Sequence, residues 1–187
     1  MTAAYTVFPT TIGTLAIVWE GMKTPRIVRI FLPLSLGSTA KHGYLKKTHA
    51  YRIPPSPVAA EIQKIRRYCE GECVSFNTRL LDLSCCSPFS IDIYRQEQRI
   101  PRGMAMSYQG LAAAAGYDHA ARTAGTAQAR NPFPLIVPCH RVIRASGNIG
   151  SFQNDRALKV RLLEIDGVRL LRKGKAYYVE RACILSC

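Results

Sequence analysis

Short runs of β-branched and aromatic residues, separated by turn residues, open the chain. They span residues 5–9, 14–20 and 26–32, with Gly13 and residues 21–25 between them. Apolar runs of this length bounded by glycine and proline are typical of strands. The pattern therefore predicts an antiparallel meander of three strands.

The next stretch changes from a loop pattern to a helical one. Residues 37–56 are polar, basic and interrupted by prolines, and we expect a loop there. In residues 57–68, apolar side chains recur three or four positions apart, which predicts an amphipathic helix that buries Val58, Ile62 and Ile65. We expect Gly71 to end this helix and residues 78–83 to add another strand.

Helical spacing dominates the second half of the chain. Residues 89–98 predict a helix with Ile93 and Tyr94 facing inward, and the segment 100–103 ends it with a proline and a glycine. Ser107 is a suitable N-cap for a helix over residues 108–115.

Gly116 is expected to end that helix, and Asp118 to cap the next one, over residues 120–129. Two helices joined by a glycine-containing turn form either a helix-turn-helix or an ordinary helical hairpin. Taken together, the elements predict an α+β protein with an N-terminal domain over residues 1–84 and a mostly helical C-terminal domain over 85–187.

The charge of the chain points to a polyanionic partner. Lys and Arg outnumber Asp and Glu by 26 to 12, a formal net charge of +14, and the excess is densest after residue 130. A basic surface that serves only solubility is the alternative. No run approaches the ~20 apolar residues of a membrane span, and the N-terminus has no leader pattern. We expect a cytoplasmic protein, nuclear in a eukaryote.

The cysteines do not suggest a disulfide framework or a metal site. There are seven, an odd number without framework spacing. Zinc requires about four suitably spaced ligands, and no such set is recognisable, so we expect neither a metal nor a cofactor. Whether Cys183 and Cys187 form a bridge stays open.

One stretch carries a candidate chemistry, Leu-Ile-Val-Pro-Cys-His-Arg-Val-Ile at residues 135–143. The apolar run would form a cleft wall that holds Cys139 on a rigid rim after Pro138. An imidazole or a cationic neighbour lowers the pKa of a thiol and makes it nucleophilic, and His140 and Arg141 supply both kinds. A cysteine in an apolar context is also often only a small buried side chain.

The flanking residues make the stretch specific. The run Asn-Pro-Phe-Pro-Leu-Ile-Val-Pro-Cys-His-Arg-Val-Ile at 131–143, with Ser-Gly at 146–147, resembles the active-site signature of the O6-alkylguanine-DNA alkyltransferases. The resemblance extends upstream to residues 100–103, 107–108 and 120–122 and downstream to 162–163. It implies a ribonuclease-H-like N-terminal scaffold and a C-terminal domain that binds double-stranded DNA.

The resemblance also implies the reaction. Cys139 would take the alkyl group from O6-alkylguanine, and from O4-methylthymine, in a single irreversible transfer. His140 would act as the base through a water. Asp166 stands where the family usually has glutamate, so Glu164 is the alternative acid that orients His140.

Further roles follow from the same alignment with the family's signature. Tyr108 would donate to the purine ring, and Asn131 would tie the helix-turn-helix to the cysteine loop. The remaining pocket would be formed by Pro134, by the carbonyls of Cys139 and Val142, and by Phe152, Gln153 and Asn154. Because Gln153 and Asn154 add bulk, we expect lower tolerance for large O6 substituents such as benzyl.

The helix over residues 120–129 is expected to contact DNA. Its small residues allow close, sequence-indifferent docking in a minor groove, although they would also allow tight packing against another helix. Arg122 would fill the space left by the flipped nucleotide. The other expected DNA contacts are Ala120, Ala121, Thr123, Gly125, Arg130 and Arg141.

Three other functions fit parts of this pattern. They are a lesion-binding relative without chemistry, a helix-turn-helix regulator, and a cysteine-histidine hydrolase. We expect a monomer that acts on DNA containing O6-alkylguanine.

Overall fold

The computed structural model describes residues 3–33, 50–152 and 155–185. The chain groups into two compact units, one formed by residues 1–85 with 132–134 and the other by residues 86–131 with 135–187. Both units combine helices and strands. The predicted α+β class is confirmed.

The sheet of the first unit is built on the three predicted strands. They are β1 (Ala4–Thr10), β2 (Gly13–Glu20) and β3 (Arg26–Phe31), and each pairs antiparallel with the next. Side chains of β1 alternate between buried and less buried, whereas β2 is buried continuously from Leu15 to Trp19. The strand β2 is therefore the centre of the unit's core.

Helix α1 (Ser56–Cys69) matches its prediction closely. Val58, Ile62 and Ile65 are all buried. The helix ends just before Gly71, which has a φ of +95°, a backbone conformation that residues with a Cβ rarely adopt.

Two predictions for the first unit need correction. Residues 78–83 do not form a strand: Thr78–Leu80 is a 3₁₀ turn that begins where the Asn77 side chain accepts a hydrogen bond from Arg79 N. This local hydrogen bond favours the turn over the strand that the apolar residues predicted. Within residues 78–83, Leu81 forms an isolated β-bridge, with Ile27. Within the expected loop 37–56, residues 50–51 form a short strand, β4 (Ala50–Tyr51), parallel to β1; residues 34–49 lie outside the described residues.

The described part of the second unit is dominated by helices. They are α2 (Pro88–Glu97), α3 (Tyr108–Ala114), α4 (Ala121–Ala129) and α5 (Arg156–Ile165). The Ser107 side chain accepts from Gly110 N at 3.0 Å, which confirms it as the N-cap of α3. Asp118 was wrongly predicted to cap α4, since Ala120 is the N-cap residue and no side-chain bond caps that helix.

Small sheets that the sequence did not reveal complete this unit. Strand β5 (Ala105–Ser107) lies between β6 (Val142–Ile143) and β9 (Ile184–Leu185), parallel to both. The tail, whose structure the sequence left open, forms a hairpin of β7 (Leu170–Lys173) and β8 (Ala176–Val179). Strands of two to four residues are too short to show an alternating pattern.

The packing of this unit fixes the ends of the segment that carries the candidate chemistry. Ala105, Ile143 and Leu163 belong to one buried cluster, which joins β5, β6 and α5. Helix α5 therefore lies against the residues that follow Cys139. No helix in the described ranges is long and apolar enough to cross a membrane.

Capping of α5 provides a test of the fold. The Asp155 side chain accepts from Leu158 N at 2.9 Å, whereas Asp118 caps no helix. We expect Asp155→Ala to lower the free energy of unfolding by about 1 kcal/mol, as for other N-caps, and Asp118→Ala to leave it nearly unchanged. Urea unfolding measures both, and equal losses would contradict the assignment.

Candidate active site

Cys139 begins a single 3₁₀ turn, Cys139–Arg141, directly after Pro138. The apolar run before it is buried, as expected for a wall, and Leu135 has a φ of +76°. A branched side chain in this left-handed region costs about 1–3 kcal/mol, and such strain often occurs at functional sites. Only 5% of the surface of Cys139 is exposed.

The exposed part of Cys139 faces a pocket of about 280 Å³. This volume lies near the lower end of the range for small-molecule sites, and it suits a single base better than a large ligand. The residues that line the pocket with Cys139 are Tyr108, Gly125, Gln128, Ala129, Ser151 and Phe152. Helix α4 thus contributes three of its residues to the wall around the sulfur.

His140 and Arg141 converge on Asp166, just beyond the end of α5. His140 Nε2 lies 2.8 Å from Asp166 Oδ2, and both side chains are fully buried. Arg141 donates to the two carboxylate oxygens at 2.6 and 2.9 Å. Glu164 is exposed. The geometry therefore favours Asp166 over Glu164 as the acid that orients His140.

The charges of this group are set by burial and by hydrogen bonds. Burial alone would raise the pKa of Asp166, but the bonds from His140 and Arg141 bring it below its usual range. Burial lowers the pKa of His140, although Asp166 opposes this shift. With Nε2 donating to the carboxylate, the neutral imidazole has its basic nitrogen at Nδ1.

The expectation that His140 and Arg141 bring the pKa of Cys139 below its usual value is wrong. Burial raises that pKa to about 12, and Glu97 contributes to the shift when its carboxyl group is ionised. Arg141, which was expected to help, is held by Asp166, and its Nη1 also donates to Ile100 O at 2.7 Å. The resting sulfur is therefore a protonated thiol.

Three buried polar side chains near the cysteine were not predicted. Lys159 donates from Nζ to Val142 O at 2.6 Å, and Glu97 and Gln128 are buried as well. Helical spacing could have indicated two of them: Lys159 shares a face with Leu162 and Leu163, and Glu97 shares one with Ile93. Charged side chains on an apolar face are easily mistaken for exposed ones.

The structure places several of the predicted residues close to the cysteine segment. Asn131 donates from Nδ2 to Val137 O at 3.0 Å, which links the end of α4 to the cysteine segment. The pKa of Tyr108 is raised by burial and then by the charges of Cys139 and Glu97. The Phe152 ring meets the His140 ring edge-on, with 6.5 Å between centroids.

Other predicted residues remain less defined. Pro134 is buried but groups with the first unit. The Val142 carbonyl, expected to accept from guanine, already accepts from Lys159, and its second lone pair could still serve a base. Gln153 and Asn154 lie outside the described residues, so the expected intolerance of benzyl groups stays a prediction.

The residues expected on the DNA side differ in exposure. Arg122, Thr123 and Arg130 are exposed, and Ala120, Ala121 and Gly125 are partly exposed. Arg141 is the exception, because its guanidinium is committed to Asp166 and to Ile100 O. Its contacts favour an internal role over contact with DNA.

Comparison with known proteins agrees with the residues at this site. Residues 88–168 match the family model of the 6-O-methylguanine DNA methyltransferase DNA-binding domain. The methylated-DNA–protein-cysteine methyltransferase of Methanothermobacter thermautotrophicus is 41% identical over 126 residues, which cover 67% of this chain and 70% of the relative. The constitutive enzyme of Bacillus subtilis is 32% identical over 170 residues, 90% of this chain and 98% of the relative.

A solved structure supports the same relationship. The crystal structure of Mycobacterium tuberculosis OGT in complex with DNA has a TM-score of 0.70 and 27% identity, and the match covers 87% of this chain and 92% of that one. The likeness extends through both units of the fold. The chain therefore belongs to the methylated-DNA–protein-cysteine methyltransferases, a family of direct-reversal DNA repair proteins.

Proposed function

We propose that this protein moves the alkyl group of O6-alkylguanine in double-stranded DNA, and that of O4-methylthymine, irreversibly to Cys139. The observation that carries the proposal is the pocket, which brings Cys139 together with α4 and lies beside the buried His140–Asp166 pair. The protein needs no cofactor for this reaction. It acts once per molecule, because no step restores the thiol.

The reaction forms a bond from sulfur to the alkyl carbon and breaks the bond from that carbon to O6. The electron pair of the broken bond goes to the guanine, and Tyr108, which lines the pocket, donates a hydrogen bond to the purine ring. The proton of Cys139 passes to His140 through an intervening water. Asp166 stabilises the imidazolium that results.

Burial gives the thiol a specific requirement for its substrate. Since its pKa is about 12, the thiolate is scarce at neutral pH, and proton removal must accompany attack. A nucleobase that fills the pocket places the alkyl carbon next to the sulfur. Such positioning can lower the activation free energy by several kcal/mol, and by up to about 7–11 kcal/mol in favourable cases.

DNA binding follows from the surface of α4. Helices α3 and α4 would act as a helix-turn-helix, with the small residues of α4 in a widened minor groove. The target nucleotide must leave the stack, which costs a few kcal/mol. The exposed Arg122 would fill the space it leaves. We further propose that one monomer suffices and works in the compartment that holds the DNA.

Alkyl transfer can be tested by mass. After incubation with duplex DNA containing O6-methylguanine, we expect the intact chain to gain one methylene on Cys139, with at most one per molecule. Cys139→Ser should bind the duplex but gain nothing, and Cys73→Ser, which alters an exposed cysteine, should react as the wild type does. Repeated turnover would indicate a hydrolase, and binding without any gain in mass would indicate a lesion-binding protein or a regulator.

The acid that orients His140 can be identified by paired variants. Asp166→Asn should slow the single-turnover transfer by about 100-fold or more, since general base catalysis contributes about 10²–10⁴-fold, with little change in DNA affinity. The exposed Glu164→Gln should react at nearly the wild-type rate. The opposite ranking of the two variants would reverse the assignment.

The role of Arg122 in flipping predicts a dependence on the opposite base. Arg122→Ala should slow transfer from a paired O6-methylguanine by about tenfold or more, because it loses part of the few kcal/mol that offset unstacking. The deficit should shrink when the lesion faces an abasic site. Arg95→Ala, which alters another exposed arginine of the second unit, is the control. An equal deficit on both duplexes would show that Arg122 only binds phosphate.

A further inference from the structure

Glu97, the last residue of α2, is an unusual side chain at this site. It is fully buried, and within the described ranges neither carboxylate oxygen has a hydrogen-bond partner. An ionised carboxylate accepts hydrogen bonds only, so burying it without donors costs several kcal/mol. The carboxyl group is therefore uncharged at neutral pH, and burial raises its pKa to about 8.

The groups that face Glu97 come from every element around it. Gln128 of α4 lies beside it and lowers its pKa, but its buried amide meets the carboxyl in no hydrogen bond of ordinary geometry. Lys159 of α5 and Arg141 also favour the charged form. No ion pair joins Glu97 to Lys159 in the described structure, where the ammonium group donates to Val142 O instead.

Glu97 and Lys159 act on Cys139 in opposite directions. A charge on Glu97 raises the pKa of the thiol, whereas the Lys159 ammonium lowers it. Burial lowers the pKa of Lys159 to about 8, the charges of Cys139 and Glu97 oppose this shift, and Arg144 adds to it. The thiolate is thus most accessible when Lys159 is charged and Glu97 is not. Tyr108 experiences the charges of both Glu97 and Cys139.

We propose that Glu97 is a positioning residue for alkyl transfer that acts as a brake on Cys139 in mildly alkaline solution. The uncharged carboxyl leaves the thiol able to react, and the ionised carboxylate disfavours the thiolate that attacks the alkylated base. Glu97 lies beside Gln128, which lines the pocket together with Cys139. It acts through the electric field at the sulfur, because no hydrogen bond joins the two groups in the part of the chain that is described. The inference rests on the proposed function.

The variant Glu97→Gln tests the brake, because it keeps the shape of the side chain but cannot ionise. Single-turnover transfer from duplex O6-methylguanine would be measured from pH 6 to 9.5, with DNA affinity determined separately at each pH. We expect equal rates at pH 6.5. At pH 9 the variant should react about threefold faster or more, because without the carboxylate charge the pKa of the thiol is lower and its thiolate fraction is larger.

The chain offers a matched control in Glu61, another buried carboxylate, whose oxygens contact Lys64 Nζ at 2.8 Å and Asn77 N at 3.1 Å. Glu61→Gln should leave the pH profile of transfer unchanged. Should Glu97→Gln fail to fold, Glu97→Leu fills the same site with an apolar side chain. Its transfer rate at pH 9 must exceed that of the wild type by the same factor.

The outcomes separate this inference from the proposed function. If the ratio of variant to wild-type rates stays constant with pH, the role of Glu97 is merely structural and the proposal is wrong. A change confined to DNA affinity would overturn it as well. If the wild type gains no methyl group at any pH, the proposed function fails and the brake fails with it.

Discussion

The carboxylate of Asp166 holds the active segment in place. It accepts from His140 and twice from Arg141, and Arg141 also donates from Nη1 to Ile100 O. Three distant parts of the chain are thereby joined: the turn after α2, the 3₁₀ turn of Cys139, and the end of α5. Removing one partner of a buried ion pair typically costs about 3–5 kcal/mol, so this contact stabilises the fold while it sets the tautomer of the base.

The same burial that makes this network strong leaves the cysteine inert at rest. A thiol with a pKa of about 12 is a poor target for stray electrophiles and oxidants, which react with thiolates. A protein that transfers a single alkyl group benefits from a thiol that other compounds do not consume. The reactivity of the thiol then depends on a substrate that completes the pocket. Burial of the cysteine is therefore the physical origin of both the selectivity for substrate and the protection from other reagents.

Sequence patterns located α1 to α4 and the long strands β1 to β3 because their apolar faces repeat over several turns or pleats, but they did not predict α5. They did not locate β5, β6 or β9, which are short and owe their existence to pairing partners far along the chain. The candidate cysteine and histidine were recognisable from their flanking residues. Their environment was not, since the high pKa of Cys139 depends on burial and on Glu97, 42 positions upstream in the numbering.

The pairing of β9 with β5 ties the C-terminal tail to the substrate pocket. Strand β5 ends at Ser107, and α3 begins at the next residue, Tyr108, so residues 184–185 support the start of α3 by pairing with β5. The segment matched by the family model ends at residue 168, before this brace. A protein shortened at that point would lose β9 and expose the edge of β5. An unpaired strand edge is a template for aggregation, and Tyr108 would lose the support of the strand that pairs next to it.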